Sequence, residues 1–278
     1  MIGIDISRYQ GQPDFKKLAN EIDFVIMQAG YGKYATQKDS QFERNYAECE
    51  KYNIHKGVYW YSYATNAEEA RAEAEACLEV LKGKRFDFPI YIDVEESLGA
   101  LGRARVSSIV DTFCSRLEKE GKFAGIYISR SPAQSYLTAN VTDKYALWLA
   151  EYADNLHYDK PVGIWQYSST GRVNGISGDV DMDKCYVNYP DMIVNAGLNG
   201  YTKPAEQVLD KAGYIVGDKS LGVYFLKCAL KAKGYKLDDT SGFGKGTCNA
   251  VNDILAKNGF KPNGTAGKGF ACLLFGIK

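Results

Sequence analysis

The stretch Phe88-Pro89-Ile90-Tyr91-Ile92-Asp93-Val94-Glu95 ends an apolar run with two carboxylic acids. Residues two apart on an extended strand point to the same face, so Asp93 and Glu95 project together from one strand end. Two carboxyls at one spot drive each other's pKa values apart, which lets one fold supply an acid and an anion at neutral pH. That pairing suits cleavage of a glycosidic bond. Strand geometry sets same-face acids at this spacing roughly 5–7 Å apart, which leaves retaining and inverting outcomes both open. The plain alternative is a strand end whose acids are solvated or cap a helix. Against it, clustered carboxylates repel, and a fold tolerates them mainly where they work.

Other chemistries have less to draw on. The 278 residues hold two histidines, His55 and His157, too few for a Ser-His-Asp or Cys-His mechanism to stand out. Seven cysteines (Cys49, Cys77, Cys114, Cys185, Cys228, Cys248 and Cys272) follow no CxxC or zinc-ligand spacing. An odd count without a framework points to free thiols and a reducing site of synthesis. Asp179-Val180-Asp181-Met182-Asp183 looks like the start of a calcium loop, but Lys184 and Pro190 stand where such a loop needs Gly and Glu. Its better reading is a strand-end acid, Asp181. Gly242-Phe243-Gly244-Lys245-Gly246-Thr247 lacks the contiguous Lys-Thr of a phosphate loop and reads as a turn before a helix. No metal or cofactor is expected.

The acids need a scaffold. Short apolar runs at 2–4, 24–27, 57–61, 88–92, 123–128, 145–149 and 163–167 alternate with helix-patterned segments near 13–20, 39–52, 66–83, 102–121 and 131–139. Asn66 is placed to cap the alanine- and glutamate-rich third helix. Strands repeating with helices imply a parallel sheet, and seven or eight strands in about 190 residues imply an irregular (β/α) barrel of TIM-like type, its helices thinned out late in the chain. An open doubly wound sheet is the alternative, without a GxGxxG fingerprint to support it. Either architecture gathers strand ends at one site. Asp5, Asp93, Glu95 and Asp181 would then form an acidic cup, with Tyr59, Tyr61, Tyr127, Trp148 and Gln166 as substrate-binding candidates. Among the strand aromatics Tyr59, Trp60, Tyr61, Tyr63, Tyr127, Trp148 and Trp165, alternation sends about half to the site and half to the core.

Composition separates a second part. Residues 201–278 hold 12 lysines against six acids, and residues 1–200 hold 22 basic residues against 28 acids. The expected division is a catalytic barrel over 1–190, a connecting segment over 191–215 and a small all-α module over 216–278. Val223, Leu226 and Leu230 share one helix face there, Thr247 is placed to cap a second helix carrying Ala250, Val251, Ile254 and Leu255, and Phe270, Leu273 and Leu274 mark a third. The start Met1-Ile2-Gly3-Ile4-Asp5 runs straight into a strand with no signal-peptide pattern, and no run of about 18 apolar residues marks a membrane span.

With these features in place, residues 1–190 resemble the family 25 glycoside hydrolases, the Chalaropsis-type lysozymes. The resemblance rests on Gly3-Ile4-Asp5-Ile6-Ser7 with Gln10-Gly11, Ala29-Gly30-Tyr31-Gly32, Gly57-Val58-Tyr59, Asp93-Val94-Glu95, Gly125-Ile126-Tyr127, Leu147 to Tyr152, Trp165-Gln166-Tyr167 and Val180-Asp181, in family order. It implies an irregular barrel and N-acetylmuramidase activity on the MurNAc-β-1,4-GlcNAc bond of peptidoglycan. By the same resemblance Glu95 is the general acid, Asp93 its partner carboxylate, and Asp5 and Asp181 are supporting acids. Gln28 and Trp60 depart from the pattern, standing where a basic residue and a histidine are usual.

The last 60 or so residues resemble a three-helix peptidoglycan-binding module, through Val223-x-x-Leu226-x-x-x-Leu230, Gly234-Tyr235, Gly242-Phe243-Gly244, Thr247, Ala250-Val251, Asn263-Gly264, Gly267 and Leu273, with Lys227 in place of the usual Gln. Its basic charge suits an anionic wall. The implied partners are peptidoglycan glycan strands and the bacterial cell wall, with no nucleic acid. The expected setting is synthesis in the cytoplasm and action at the wall, as an endolysin or autolysin. A wall-binding protein without activity, and a hydrolase of another hexosamine polymer, are the rival readings.

Overall fold

Eight short runs become strands: β1 (Ile2–Ile6), β2 (Phe24–Tyr31), β3 (His55–Tyr61), β4 (Ile90–Val94), β5 (Ala124–Ser129), β6 (Ala146–Ala150), β7 (Ile164–Gly171) and β8 (Val180–Cys185). They close into one barrel in sequence order. The computed structural model describes residues 1–202 and 213–275. The chain divides into two units, Met1–Pro204 and Ala205–Lys278.

β1 to β7 run parallel, whereas β8 is antiparallel to both β7 and β1. The purely parallel expectation therefore fails at the last strand. Only residues 172–179 join β7 to β8, too short a connection for the crossover a parallel pair needs, so β8 returns in the opposite sense. Around the barrel lie α1 (Phe15–Leu18), α2 (Phe42–Tyr52), α3 (Ala67–Val80), α4 (Arg103–Lys119), α5 (Arg130–Tyr136) and α6 (Ala139–Thr142). Asn66 does cap α3, accepting from Glu69 N at 3.0 Å. The face of α3 that repeats at helical spacing, Ala70, Ala74 and Cys77, is buried against the barrel.

The barrel interior is packed with aromatic rings. Phe24 stacks on Phe88 at 4.5 Å, and Tyr91 and Trp148 meet edge-on at 5.2 Å. These rings need neighbours without side chains. A Cβ on Gly3 would lie 2.5 Å from the Phe24 ring, and one on Gly125 would lie 2.5 Å from Tyr91. Each glycine stands two residues before a site residue, Asp5 or Tyr127, on the same inward face.

The N-terminal mouth of the barrel is closed by a segment expected to be a connector. α7 (Tyr189–Ala196) packs Tyr189 and Ile193 into the interior cluster with Phe88. Asn199 is fully buried; its side chain donates to Phe88 O at 2.8 Å and accepts from Phe123 N at 2.7 Å. Tyr201 Oη donates to Asp87 at 2.5 Å. Residues 191–202 are thus part of the barrel unit, because a barrel filled with apolar rings must be capped at its base. Residues 203–212 of the expected connector lie outside the described residues.

In the second unit α8 (Leu221–Ala232), α9 (Lys245–Lys257) and α10 (Lys268–Phe275) enclose a core of Val223, Leu230, Phe243, Val251, Leu255, Phe270 and Leu274. Thr247 is not a cap: α9 starts earlier, after Gly244, and Thr247 is buried within it. Lys227 is buried, its ammonium held by Asp238 and by the carbonyls of Thr240 and Gly242 at 3.0 and 3.2 Å. A charge in that place is tolerated because every donor finds an oxygen. Among the described residues no helix is long and apolar enough to cross a membrane.

Candidate active site

Strand register brings the predicted residues to one end of the barrel. Asp5 on β1 pairs with Asp181 on β8, Tyr61 on β3 with Asp93 on β4, Asp93 with Tyr127 on β5, and Tyr127 with Trp148 on β6. Because β8 runs backwards, Asp181 reaches this end from the start of its strand rather than from the finish. The shared end opens as a cleft of about 240 Å³ lined by Asp5, Asp93, Glu95 and Asp181 with Tyr59, Tyr61, Tyr127, Trp148 and Gln166. Ser7, Tyr9, Gln28 and Tyr152 complete it, and among the described residues no lysine, arginine or histidine lines it.

The predicted residues do not all stand at the same depth. Glu95, just past the end of β4, is half-buried at the mouth, whereas Asp93 is only 4% exposed. Trp148 is 1% exposed, so it is floor rather than a surface for substrate: Tyr59, Tyr91 and Tyr127 enclose its ring. Its Nε1 donates to Asp183 at 2.7 Å. Gln166 works as a clamp beneath the surface. It donates to Asp5 at 2.7 Å and accepts from Tyr127 Oη at 2.9 Å and Tyr152 Oη at 3.0 Å. Alternation divides the remaining aromatics: Tyr59 and Tyr61 face the cleft, while Trp60 points outward, fully buried, with Nε1 on Gly32 O at 3.0 Å. Trp165 is likewise buried, and Tyr63 stands beyond the cleft. Gln28 lines the cleft in place of the family's usual basic residue, which keeps the cup free of cations.

Asp183 was missed from sequence. It is fully buried below the cup, two residues after Asp181 on the same strand face. The signal was available, since Asp181 and Asp183 share the spacing that singled out Asp93 and Glu95. What concealed it was the unknown direction and end of β8.

Burial without counter-charge governs the electrostatics. Desolvation, then the neighbouring carboxylate Glu95, pushes the Asp93 carboxyl well above the usual range. Burial followed by Asp183 and Asp181 does the same to Asp5. Burial raises Asp181 too, and raises Asp183 to about 8 despite the Trp148 donor. Asp183 Oδ2 is buried and finds no hydrogen-bond partner among the described residues. Asp93 Oδ1 is also buried and without a protein partner, in the wall of the open cleft. Such a cup can hold protons at neutral pH at the floor and present Glu95 at the rim. Among the described residues no group of three or more histidines, cysteines and acids is placed to hold a metal ion.

Residues 4–176 match the family described as glycosyl hydrolases family 25, a segment that includes Asp5, Asp93 and Glu95 and stops short of Asp181. The chain is 32% identical over 186 residues to the autolytic lysozyme of Clostridium acetobutylicum, covering 66% of this chain and 55% of that protein. The modular autolysin LytC of Streptococcus pneumoniae matches with a TM-score of 0.59 at 29% identity, over 66% of this chain and 46% of that one. A family 25 glycosyl hydrolase from Bacillus anthracis shares the fold, with a TM-score of 0.60 at 20% identity over 69% and 92%. The chain spans about half the length of the clostridial and pneumococcal relatives. With more than half of the chain matched and the acids converging at one barrel end, the chain belongs to family 25 of the glycosyl hydrolases.

Proposed function

We propose that the protein is a peptidoglycan hydrolase, an N-acetylmuramidase that cleaves the MurNAc-β-1,4-GlcNAc bond. The observation that carries the reading is the open, cation-free cup in which Asp5, Asp93, Glu95 and Asp181 meet. Glu95 is the general acid, because it stands half-buried at the cup's mouth, just past the strand end that carries Asp93, and a proton donor must reach the glycosidic oxygen. As that oxygen takes the proton, the bond to the anomeric carbon breaks and its electron pair leaves with the GlcNAc hydroxyl. Positive charge builds on the muramyl ring. Asp93 lies below, with a buried oxygen that finds no donor among the described residues. It stabilises that charge or orients the substrate's own acetamide group, whose oxygen closes on the anomeric carbon. Water then completes hydrolysis and returns a proton to Glu95. Asp5 and Asp181 support the same charge, with Gln166 and Trp148 holding Asp5 and Asp183 in place.

The relatives named as autolytic lysozyme and autolysin support a wall-lysing role, as autolysin or endolysin, acting at the bacterial cell wall. We assign wall attachment to the basic second unit, over residues 216–278. Digestion of purified peptidoglycan, with analysis of new reducing ends, tests the reading. The native enzyme releases muramic reducing ends, and Glu95→Gln lowers kcat by about 10²–10⁴. Equal activity in Glu95→Gln would falsify the role of that residue, and uncut glycan with the native enzyme would leave a binding protein. Proton NMR of the first-formed anomer separates the routes: the α-anomer appearing first excludes acetamide participation with retention.

A further inference from the structure

Beside the acidic cup, the same barrel end carries a second cavity of about 250 Å³, walled by Tyr34, Tyr63, Lys33, Gln37, Glu69 and Glu73. It belongs to the loops that follow β2 and β3 and to the first turns of α3. The two cavities meet at the end of β3. Tyr61 lines the cup, Tyr63 lines the second cavity, and their rings lie 4.9 Å apart. Tyr31 supports Tyr63 edge-on at 6.1 Å. Tyr63 is 60% exposed and Tyr34 59%, so two large rings face water across one concavity. Single exposed aromatics are ordinary, but paired ones flanking a cavity beside an acidic cleft mark a binding surface.

The turn that presents Tyr63 is fixed from below. Glu73, on the inner face of α3 and 2% exposed, accepts from Ser62 Oγ at 2.6 Å and from Tyr63 N at 2.8 Å. Ser62 N in turn donates to Asp93 O at 3.2 Å. The backbone of Tyr63 is therefore tied to the strand end that carries the acids, while its ring, braced by Tyr31 and Tyr61, stays largely exposed. A platform held in that way loses little conformational freedom when a ligand arrives.

We propose that this second cavity is a glycan subsite, which binds a sugar of the same strand beyond those that span the cup. The inference rests on the proposed glycan-cleaving reading. A pyranose ring presents a face of C–H groups that packs on an aromatic ring, and Tyr63 and Tyr34 supply two such faces. The hydroxyl and acetamide groups at the ring's edge meet Lys33 and Glu69, charged groups at the cavity wall. Glu73 is the positioning residue: it does not touch the sugar but fixes the turn that offers Tyr63. Long strands therefore bind better than fragments that fill only the cup.

The test compares Tyr63→Ala, Tyr34→Ala and Tyr63→Phe in the full chain, on short and long peptide-free glycan fragments of peptidoglycan. The expected result is a KM for long fragments raised about tenfold in either alanine variant, the loss of one stacked ring, with kcat unchanged. Short fragments are cut with unchanged constants, and Tyr63→Phe restores the long-fragment KM. Equal losses on both lengths, or no loss on either, overturn the proposal. If the native chain cuts neither fragment, the catalytic reading fails by itself. Calorimetric binding of the uncut fragments then decides the subsite: a preference for long over short that Tyr63→Ala abolishes supports it, and equal affinities refute it.

Discussion

Asp183 and Asp93 stand for a general cost at this site. Both are buried acids with pKa values pushed upward by loss of water, Asp183 to about 8. The folded state thus holds protons that the unfolded chain, with carboxyls near their ordinary values, has already released. For Asp183 the stability tied to this proton is fully present below about pH 4 and is lost as pH rises through about 8, and for Asp93 the trend has the same sign. Glu73, raised by burial to about 7, adds to the same trend. Asp93→Asn and Asp183→Asn should therefore stabilise the fold at pH 8 relative to pH 5 while lowering kcat. Thermal melts from pH 5 to 8 check this. Variant and wild-type midpoints that keep one constant offset at every pH would sink it. At this scale the sequence was partly legible. The i, i+2 spacing and the apolar run picked out Asp93 and Glu95. Depth was not legible: nothing in the residue types says that Trp148 is floor, or that Gln166 braces Asp5 from within.

At the scale of elements, β8 and the segment after it show where pattern reading stops. β8 has the alternation of a strand, but its direction follows from how β7 connects to it and from the closing bonds to β1. Those are contacts between residues far apart in sequence. The same holds for residues 191–202, whose glycines and polar residues read as a boundary but whose Ile193 and Asn199 plug the barrel's base. Truncation after residue 190 should consequently cost several kcal/mol, through lost apolar burial and the orphaned Phe88 and Phe123 backbone groups. Truncation after residue 204 should leave the barrel unit intact. Urea or thermal unfolding of the two truncated chains checks this, and equal midpoints would restore the shorter boundary. The helices were easier to read, because Asn66 at the N-cap and the buried face of α3 are set by neighbours within a few turns.

Across the whole molecule, charge is divided between the two parts of the chain, with 12 lysines and six acids after residue 200 and an acidic balance before it. If the basic part attaches the protein to an anionic wall, binding to purified walls should weaken steeply between low salt and about 0.5 M, as screening shortens to a few ångströms. Removal of residues 205–278 should abolish the salt-sensitive fraction of binding and spare turnover of short soluble glycans. Co-sedimentation with walls across a salt series measures both, and salt-insensitive binding by the full chain would refute the electrostatic account. The sequence by itself determined the barrel type, the helical second unit, the paired acids and their likeness to one enzyme family, because strand alternation, helix periodicity and strand-end chemistry are local properties. Only the tertiary structure decided the direction of β8, the plug at the base, the burial that raises the pKa values of Asp5, Asp93 and Asp183, and the adjoining tyrosines of two cavities. Each of those depends on which distant residues exclude water from a given atom, and closure of the barrel alone settles that.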